Sequence, residues 1–175
     1  MKRVLWLVPA ILLFCVSAKA QETPAWEIYG GYTFVRANLG GTSFNLNGGG
    51  AAADQNLNDW FGGRVEFNAF GGTVEGENVA VQTITYGPVF SYRKFDRLTP
   101  FAHLQLGAVH ANAGFLGISQ PAFKFALSGG GGAEYALNER VAIRVQGDYL
   151  MTRFLNARQD NIQVTAGLVV RIGTK

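Results

Sequence analysis

Apolar and polar side chains alternate through residues 161–175, NIQVTAGLVVRIGTK, and this alternation is the feature that most constrains the fold. Taken by parity, one face carries Ile162, Val164, Ala166, Leu168, Val170 and Ile172. The opposite face is largely polar and includes Arg171. Because successive side chains of a β-strand point to opposite faces, the segment is predicted to be a strand with one apolar and one polar face.

The same alternation recurs along most of the chain that follows residue 20. Residues 60–70 place Val65 and Phe67 on one face and Arg64 and Glu66 on the other. Comparable segments occupy residues 25–35, 82–93, 100–111, 123–137 and 141–152, and a fainter one, rich in glycine and asparagine, occupies residues 43–53. Since none of this part of the sequence shows convincing helical periodicity, the chain is predicted to be all-β with about eight strands.

The connections between these segments alternate in length. Short polar turns are predicted at residues 56–59, 94–99 and 138–140, and mostly longer glycine-rich or polar links at residues 38–42, 71–81, 112–121 and 156–160. Short turns at one end and longer loops at the other are typical of an antiparallel up-and-down barrel.

The N-terminal residues MKRVLWLVPAILLFCVSAKA have the three parts of a secretory signal peptide. A basic start at Lys2 and Arg3 precedes an apolar run of about 13 residues and a small-residue cleavage site that ends at Ala20. A retained membrane helix is disfavoured, because spanning a bilayer takes about 20 apolar residues. Residues 1–20 are therefore predicted to be removed, and residues 21–175 to form a single β-barrel domain.

Removal of this leader changes the charge and the cysteine content of the chain. Lys2, Arg3 and Lys19 are three of the 15 basic residues, so 12 basic residues remain against 12 acidic ones. The net charge then gives no support for nucleic-acid binding. Cys15, the single cysteine, also lies in the leader, so the exported chain is predicted to contain no disulfide.

The direction in which the apolar and polar faces of the predicted strands point distinguishes two kinds of barrel. A soluble barrel of the lipocalin type has an apolar interior, whereas a transmembrane barrel has an apolar outer band and a polar lumen. The many large apolar side chains would overfill the narrow interior of an eight-stranded barrel. We therefore predict an eight-stranded antiparallel transmembrane barrel, closed because lipid cannot satisfy a free sheet edge, with short periplasmic turns and longer extracellular loops.

The predicted lumen carries ionisable side chains of both signs. These are predicted to form a closed network of ion pairs made by Glu27, Arg64, Glu66, Arg93, His103, Lys124, Glu134, Arg144, Asp148 and Arg171. His103 and Glu134 are interpreted as a hydrogen-bonded lumen pair and not as a metal site, because two unlinked ligands do not make one. The glycine run in SGGGGAEY lacks the lysine and the helix of a phosphate loop, and we expect it to leave room for the lumen arginines.

Pro88 is at odds with this barrel, because proline removes a hydrogen-bond donor from a strand that has no free edge. Since Pro88 follows Gly87, a local β-bulge is predicted at this point.

Several segments resemble a known family. The stretches EIYGGYTFVRAN, YGPVFSYR and TAGLVVRI are similar to those of the outer-membrane β-barrel family of small porin-like proteins, related to the OmpA-type membrane domain. The resemblance implies an outer-membrane location, contact with membrane lipid, and insertion by the barrel-assembly machinery. It also implies a C-terminal assembly signal at Thr165, Gly167, Val170 and Ile172, although the chain ends in Gly-Thr-Lys and not in an aromatic residue.

Three basic residues break the apolar parity near the predicted longer loops. Arg36, His110 and Arg153 lie on the lipid-facing side there, where they are predicted either to extend to water or to contact the phosphates of lipopolysaccharide. His110 could also act as a base in a lipid-modifying barrel enzyme, but no serine follows two residues later and no carboxylate lies near it in the sequence.

The sequence therefore predicts a monomeric, non-enzymatic outer-membrane barrel without a cofactor, with a plugged polar lumen and an envelope-structural or surface-contact role. Two alternatives stay open, a narrow porin for ions or small solutes and a lipid-modifying barrel enzyme. Eight strands generally leave no open aqueous channel, and the mixed charges of the lumen can pair with one another.

Overall fold

The chain folds into a closed barrel of eight antiparallel strands, which confirms the predicted fold class. The computed structural model describes residues 23–39, 42–74, 77–113, 123–154 and 157–174. The predicted signal peptide, residues 1–20, lies outside them. The strands are β1 (Pro24–Leu39), β2 (Thr42–Asn56), β3 (Phe61–Val74), β4 (Glu77–Ser91), β5 (Leu98–Ala113), β6 (Phe123–Ala136), β7 (Val141–Phe154) and β8 (Ala157–Thr174).

Each strand pairs with its neighbours in the sequence, and β1 pairs with β8 to close the sheet. Along this closing seam, Gly31 lies opposite Gly167 and Thr33 lies opposite Thr165. A closed sheet leaves no row of unpaired backbone groups, which is the condition for crossing lipid with strands. No helix among the described residues is long and apolar enough to span a membrane.

The short connections lie together at one end of the barrel, which we call the turn end (residues 57–60, 92–97 and 137–140). Two of these turns are built alike. The Oδ1 atom of Asn58 accepts hydrogen bonds from the backbone N–H groups of Trp60 and Phe61, and Asn138 Oδ1 accepts the equivalent pair from Arg140 and Val141. Asparagine favours such turns because its side chain replaces a backbone acceptor.

The opposite end, which we call the loop end, differs in detail from the prediction. The segment predicted as a loop at residues 71–81 is mostly strand, since β3 continues to Val74 and β4 begins at Glu77. Similarly, β1 reaches Leu39 and β2 begins at Thr42. Glycine and polar residues in these segments favour loops in a prediction from sequence. Backbone pairing across each hairpin nevertheless extends both strands through these segments.

No bulge interrupts β4 at Pro88, so that prediction is wrong. Tyr86 pairs with Leu106 and Val89 pairs with His103, so two residues lie between these pairs on each strand and the register is the same on both sides of the proline. On its other side Pro88 lies opposite Gly63 in regular register with β3. The barrel therefore tolerates the missing donor at this position without an extra residue in the strand.

Side-chain burial follows the predicted parity. On β8, Leu168 is 53% exposed on the outer face, whereas Thr165 on the inner face is fully buried. The lumen itself has two zones. Charged and polar side chains fill the part nearer the turn end, and a buried apolar cluster fills the part near the loop end, made by Val35, Ala37, Leu46, Phe70, Val109, Ala126 and Leu150. The lumen is thus less polar than the sequence predicted.

Candidate functional site

The strand register places opposite charges directly across from each other in the lumen. Asp54 on β2 lies opposite Arg64 on β3, and Glu134 on β6 lies opposite Arg144 on β7. At the closing seam, Glu27 on β1 lies opposite Arg171 on β8. Opposed residues on one face of an antiparallel pair are near enough to interact, so the three ion pairs follow from the register of the ladder.

Asp54 is the centre of this network. Its carboxylate accepts two hydrogen bonds from Arg64, from Nε at 2.7 Å and from Nη2 at 2.8 Å. It also accepts a hydrogen bond from Arg144 Nη2 at 2.7 Å. All three side chains are buried. The sequence does not predict Asp54 as a member of the network, because the faint predicted strand ends at residue 53, whereas β2 continues to Asn56. Extending the inward parity of Ala52 by two residues identifies Asp54.

A second chain of ion pairs extends from Arg144 toward the turn end. Glu134 accepts hydrogen bonds from Arg144, the shorter one at 2.6 Å, and from Arg171 Nη2 at 3.1 Å. Glu27 lies 3.3 Å from Arg171 Nε and accepts a 2.7 Å hydrogen bond from Arg93 Nη2. Asn56 donates to the same carboxylate at 3.0 Å. Side chains near the turn end thus form one connected network.

A third group extends from Arg64 toward the loop end. Gln146 accepts a hydrogen bond from Arg64 at 3.1 Å and donates to Glu66 and to Asp148, in the latter case at 3.0 Å. Asn68 also donates to Glu66, at 3.0 Å. Arg64 Nη1 lies 3.9 Å from Glu66 Oε2, too far for a hydrogen bond. The amide side chains of Gln146 and Asn68 therefore provide the hydrogen bonds to Glu66.

His103 has different partners from those predicted. Its Nε2 atom lies 2.8 Å from Asp148 Oδ1, a close contact that is not aligned as a hydrogen bond, and its Nδ1 atom lies 3.2 Å from Arg64 Nη1. Arginine can only donate, so we assign the acceptor role to Nδ1 and the proton to Nε2. Glu134 is bound by Arg144 and Arg171. The predicted pair of His103 with Glu134 is therefore wrong.

Aromatic rings pack against the central guanidinium groups. The Phe101 ring centroid lies 4.8 Å from Cζ of Arg64 and 5.2 Å from Cζ of Arg144. Tyr29 contacts Arg144 from another side, at 5.1 Å. Cation–π contacts are stronger where water is excluded, so the two rings contribute to holding both arginines in the lumen.

Glycines on the neighbouring strands lie directly opposite these arginines. Arg64 has Asp54 opposite on one strand and Gly87 on the other, and Arg144 has Glu134 on one side and Gly167 on the other. The glycine run at residues 129–132 serves other side chains than predicted. Its inward-facing members lie opposite Asp148 and Gln146 and not opposite an arginine.

The carboxylates of Glu27, Asp54 and Glu134 converge, with ligand atoms within 4.8 Å of one another. Three converging carboxylates could hold a cation in principle. Here each one accepts hydrogen bonds from arginine side chains, so guanidinium groups already occupy the positions that a cation would take.

Comparison with known proteins adds to this geometry. A family model described as "Outer membrane protein beta-barrel domain" matches residues 6–169. The chain belongs to this family. Its membership places the barrel in the outer membrane. No curated protein matches the sequence.

Solved structures share the fold of this outer-membrane barrel at low sequence identity. Neisserial surface protein A (NspA) has a TM-score of 0.72 and 15% identity, covering 85% of this chain and 97% of the other. OprG from Pseudomonas aeruginosa has a TM-score of 0.61 and 10% identity, covering 90% and 100%. Ail, the attachment invasion locus protein of Yersinia pestis, has a TM-score of 0.59 and 19% identity, covering 84% and 99%.

The remaining predicted residues of this outer-membrane barrel lie outside the network. Lys124 has the inward parity, but its side chain is exposed near the loop end, so its predicted place in the buried network is wrong. Arg36 is exposed on the outer face near the loop end, and His110 is half-buried there. Arg153 lies opposite Arg158 on β8, and its side chain is outside the described part of the chain.

The residues of the predicted assembly signal lie on both faces of β8. Thr165 faces the lumen and is fully buried, and Gly167 lies opposite Arg144. Val170 and Ile172 are on the outer face, 47% and 52% exposed. The two apolar residues of the predicted signal are thus accessible from outside the barrel, near the turn end.

Proposed function

We propose that the protein is a non-enzymatic outer-membrane barrel with a closed lumen and an envelope-structural or surface-contact role. The observation that supports this most is the filling of the lumen by two successive layers. The ion-pair network lies nearer the turn end, and the buried apolar cluster around Leu46, Phe70 and Leu150 lies nearer the loop end.

The two layers would oppose ion passage for different reasons. An ion that enters the network must separate buried charge pairs, and breaking such a pair costs about 3–5 kcal/mol. An ion that enters the apolar cluster loses its hydration without gaining a polar partner. An eight-stranded barrel is also only wide enough for its interior to be filled by side chains. These arguments favour the closed barrel over the narrow porin.

The enzymatic alternative depends on His110, and the two residues paired with it across the sheet do not favour it. The residues directly opposite His110 on the flanking strands are Gln82 and Phe123. Neither supplies a carboxylate that could orient the imidazole for general-base catalysis.

Ion conductance in planar bilayers tests the closed lumen. Purified protein should give no steady single-channel current, whereas steady conductance would overturn the proposal in favour of the porin. A heat-modifiability gel on the same preparation provides the control, because a folded barrel should migrate differently before and after boiling. Absence of current supports a closed lumen only when the gel shows that the protein is folded.

We also propose that residues 1–20 are removed on export and that the assembly machinery recognises β8 through Val170 and Ile172. Both side chains are apolar and face outward. N-terminal sequencing of protein from the outer-membrane fraction should begin at Gln21. Val170→Asn with Ile172→Asn should reduce the folded fraction in cells more than Ile162→Asn with Val164→Asn, an equivalent pair of outward changes farther from the turn end.

Lipopolysaccharide is the partner that we propose for the loop end. Arg36 is exposed on the outer face, one strand length away from the turn end. If the turns are periplasmic, this side chain lies at the depth of lipid phosphates, for which arginine offers several directed donors. Arg36→Ala with Arg153→Ala should weaken stabilisation of the barrel by lipopolysaccharide, and Arg140→Ala, at the opposite end, should not. Undiminished stabilisation in the double variant would mean that these residues only extend to water.

A further inference from the structure

A large cavity opens at the turn end of the barrel, apart from the lumen network. It has a volume of about 930 Å³ and lies between the segment at residues 92–97, the turn at 137–140 and the ends of β1 and β8. This volume is within the range of small-molecule sites, which is about 300–1,000 Å³.

Three arginines line this cavity in two different ways. Arg171 is buried and directs Nη2 to Glu134, with its Nε atom 3.3 Å from Glu27. That Nε atom makes no aligned hydrogen bond within the part of the chain that the structure describes. Arg97 and Arg140 are exposed at the walls, and neither forms an ion pair within the part of the chain that the structure describes. The cavity thus offers guanidinium donors that the network does not use.

Backbone hydrogen bonds hold the main chain at the two wall arginines. The N–H group of Ala136 donates to the carbonyl of Arg97 at 2.8 Å, and the N–H group of Arg171 donates to the carbonyl of Arg140 at 2.8 Å. Both residues are therefore tied to strand ends and do not sit on free loops. The main chain from which each guanidinium group extends is therefore fixed, although each side chain must still be ordered when a ligand binds.

The rest of the lining is mixed in character. Asp96 and Glu139 add two carboxylates beside the arginines, and Leu137 and Pro24 add apolar surface. Guanidinium groups bind a carboxylate through paired donors, and the acidic side chains are suited to an ammonium group. The combination fits a ligand with both charges and a small apolar body.

We propose that this cavity binds a short zwitterionic peptide, with its terminal carboxylate at Arg171, Arg97 and Arg140. The site does not depend on whether the lumen conducts, because the cavity opens at the turn end. Its ligand would come from the periplasm if the turns face that side, as in the proposed function. Binding is expected in the millimolar range, since the ligand is small and the cavity is partly open.

Titration of the folded barrel in a non-ionic detergent with the tripeptide Ala-Ala-Ala tests the proposal. Calorimetry should show saturable binding, and the Arg171 side-chain Nε–H signal should shift in NMR spectra. The C-terminal amide of the peptide should bind at least about 10-fold more weakly, which corresponds to about 1.4 kcal/mol. The N-acetylated peptide should also bind more weakly if Asp96 and Glu139 hold the ammonium group.

Arg97→Gln with Arg140→Gln should weaken binding by about 10-fold or more. Both side chains are exposed, so the variant should fold, which the heat-modifiability gel checks. Lys124→Gln, an exposed change at the loop end, is the control and should bind as the parent does. Absence of saturable binding by the parent would overturn the proposal, as would equal affinity of acid and amide peptides, an unaffected double variant, or an equal loss in Lys124→Gln. None of these outcomes bears on conductance, so the test is distinct from that of the closed lumen.

Discussion

Asp54 and Arg64 lie opposite each other on β2 and β3 and are joined by two short hydrogen bonds, at 2.7 and 2.8 Å. The same carboxylate accepts a third hydrogen bond from Arg144 on β7. One buried carboxylate thus balances the charges of two guanidinium groups from strands that are not neighbours. It connects β2 and β3 to β7 across the lumen of the barrel.

Replacement of Asp54 by asparagine should destabilise the barrel strongly. Asp54→Asn keeps the shape of the side chain but leaves Arg64 and Arg144 without their shared counter-charge, which should lower the free energy of unfolding by about 3–5 kcal/mol. Urea-induced unfolding in lipid vesicles measures this. Asp96→Asn, a change of equal charge at an exposed site, is the control, and equal stability of the two variants would contradict the buried network.

Arginine should be tolerated on the inner face of β8 but not on its outer face. Leu168 is exposed on the outer face opposite Ile143, so Leu168→Arg should cost about 2–4 kcal/mol in lipid. Gln163 is buried inside, opposite Asp148, which can act as a partner for the new charge. Gln163→Arg should therefore cost much less. Comparable losses in vesicle unfolding assays would show that the two faces are assigned incorrectly.

The apolar cluster should contribute to stability independently of the ion pairs. Phe70 is buried in it, and Phe70→Ala should cost about 3–5 kcal/mol through the cavity that it leaves. Phe67→Ala, on the outer face of the same strand, should cost less because lipid can fill the space. Planar bilayers should stay silent with Phe70→Ala, since the ion-pair network is intact. Appearance of steady current would assign the barrier to the apolar cluster alone.

Glycine should be required at the position across from Arg64. A Cβ atom at Gly87 would lie 2.8 Å from Cα of Gln105, so the backbone of β5 would have to move. Gly87→Ala should therefore lower the free energy of unfolding by about 1–3 kcal/mol, as overpacking does. At Gly147 a Cβ atom would meet nothing within 4 Å, and Gly147→Ala is the matched control. Similar stabilities would contradict the need for glycine beside the β5 backbone at this position.

Sequence reasoning found the features of this barrel that depend on local alternation. Arg64, Glu66, Arg144 and Asp148 were placed inward because strand parity is set by neighbouring residues alone. Alternation cannot be recognised in a stretch made of small residues. Asp54 follows such a glycine- and alanine-rich stretch, so the sequence does not show which face it occupies. Val35, Leu46 and Phe70 have the inward parity too, but their gathering into one cluster depends on three separate strands.

The choice of partners within the lumen was beyond sequence reasoning for a different reason. His103 contacts Asp148 and Arg64, which lie on other strands. The height of each side chain in the lumen depends on the registers of all the strand pairs between them. A shift of one residue in any ladder would exchange the faces of a strand, so these contacts are set by the closed sheet as a whole. Lys124 shows the same limit, since its parity is inward but its depth along the barrel leaves it exposed.

The ion pair of Glu27 with Arg171 has a consequence for how the barrel forms. The two residues face each other on the first and last strands, so they meet only when the cylinder closes. Before closure, a growing sheet carries charges whose counter-ions are still missing, and exposing these charges to lipid is expensive. We therefore expect assembly to be all-or-none, without a stable sheet of fewer strands. Time-resolved refolding into vesicles should show secondary structure and resistance to SDS appearing at a single rate, and neutralising Arg171 should slow both together.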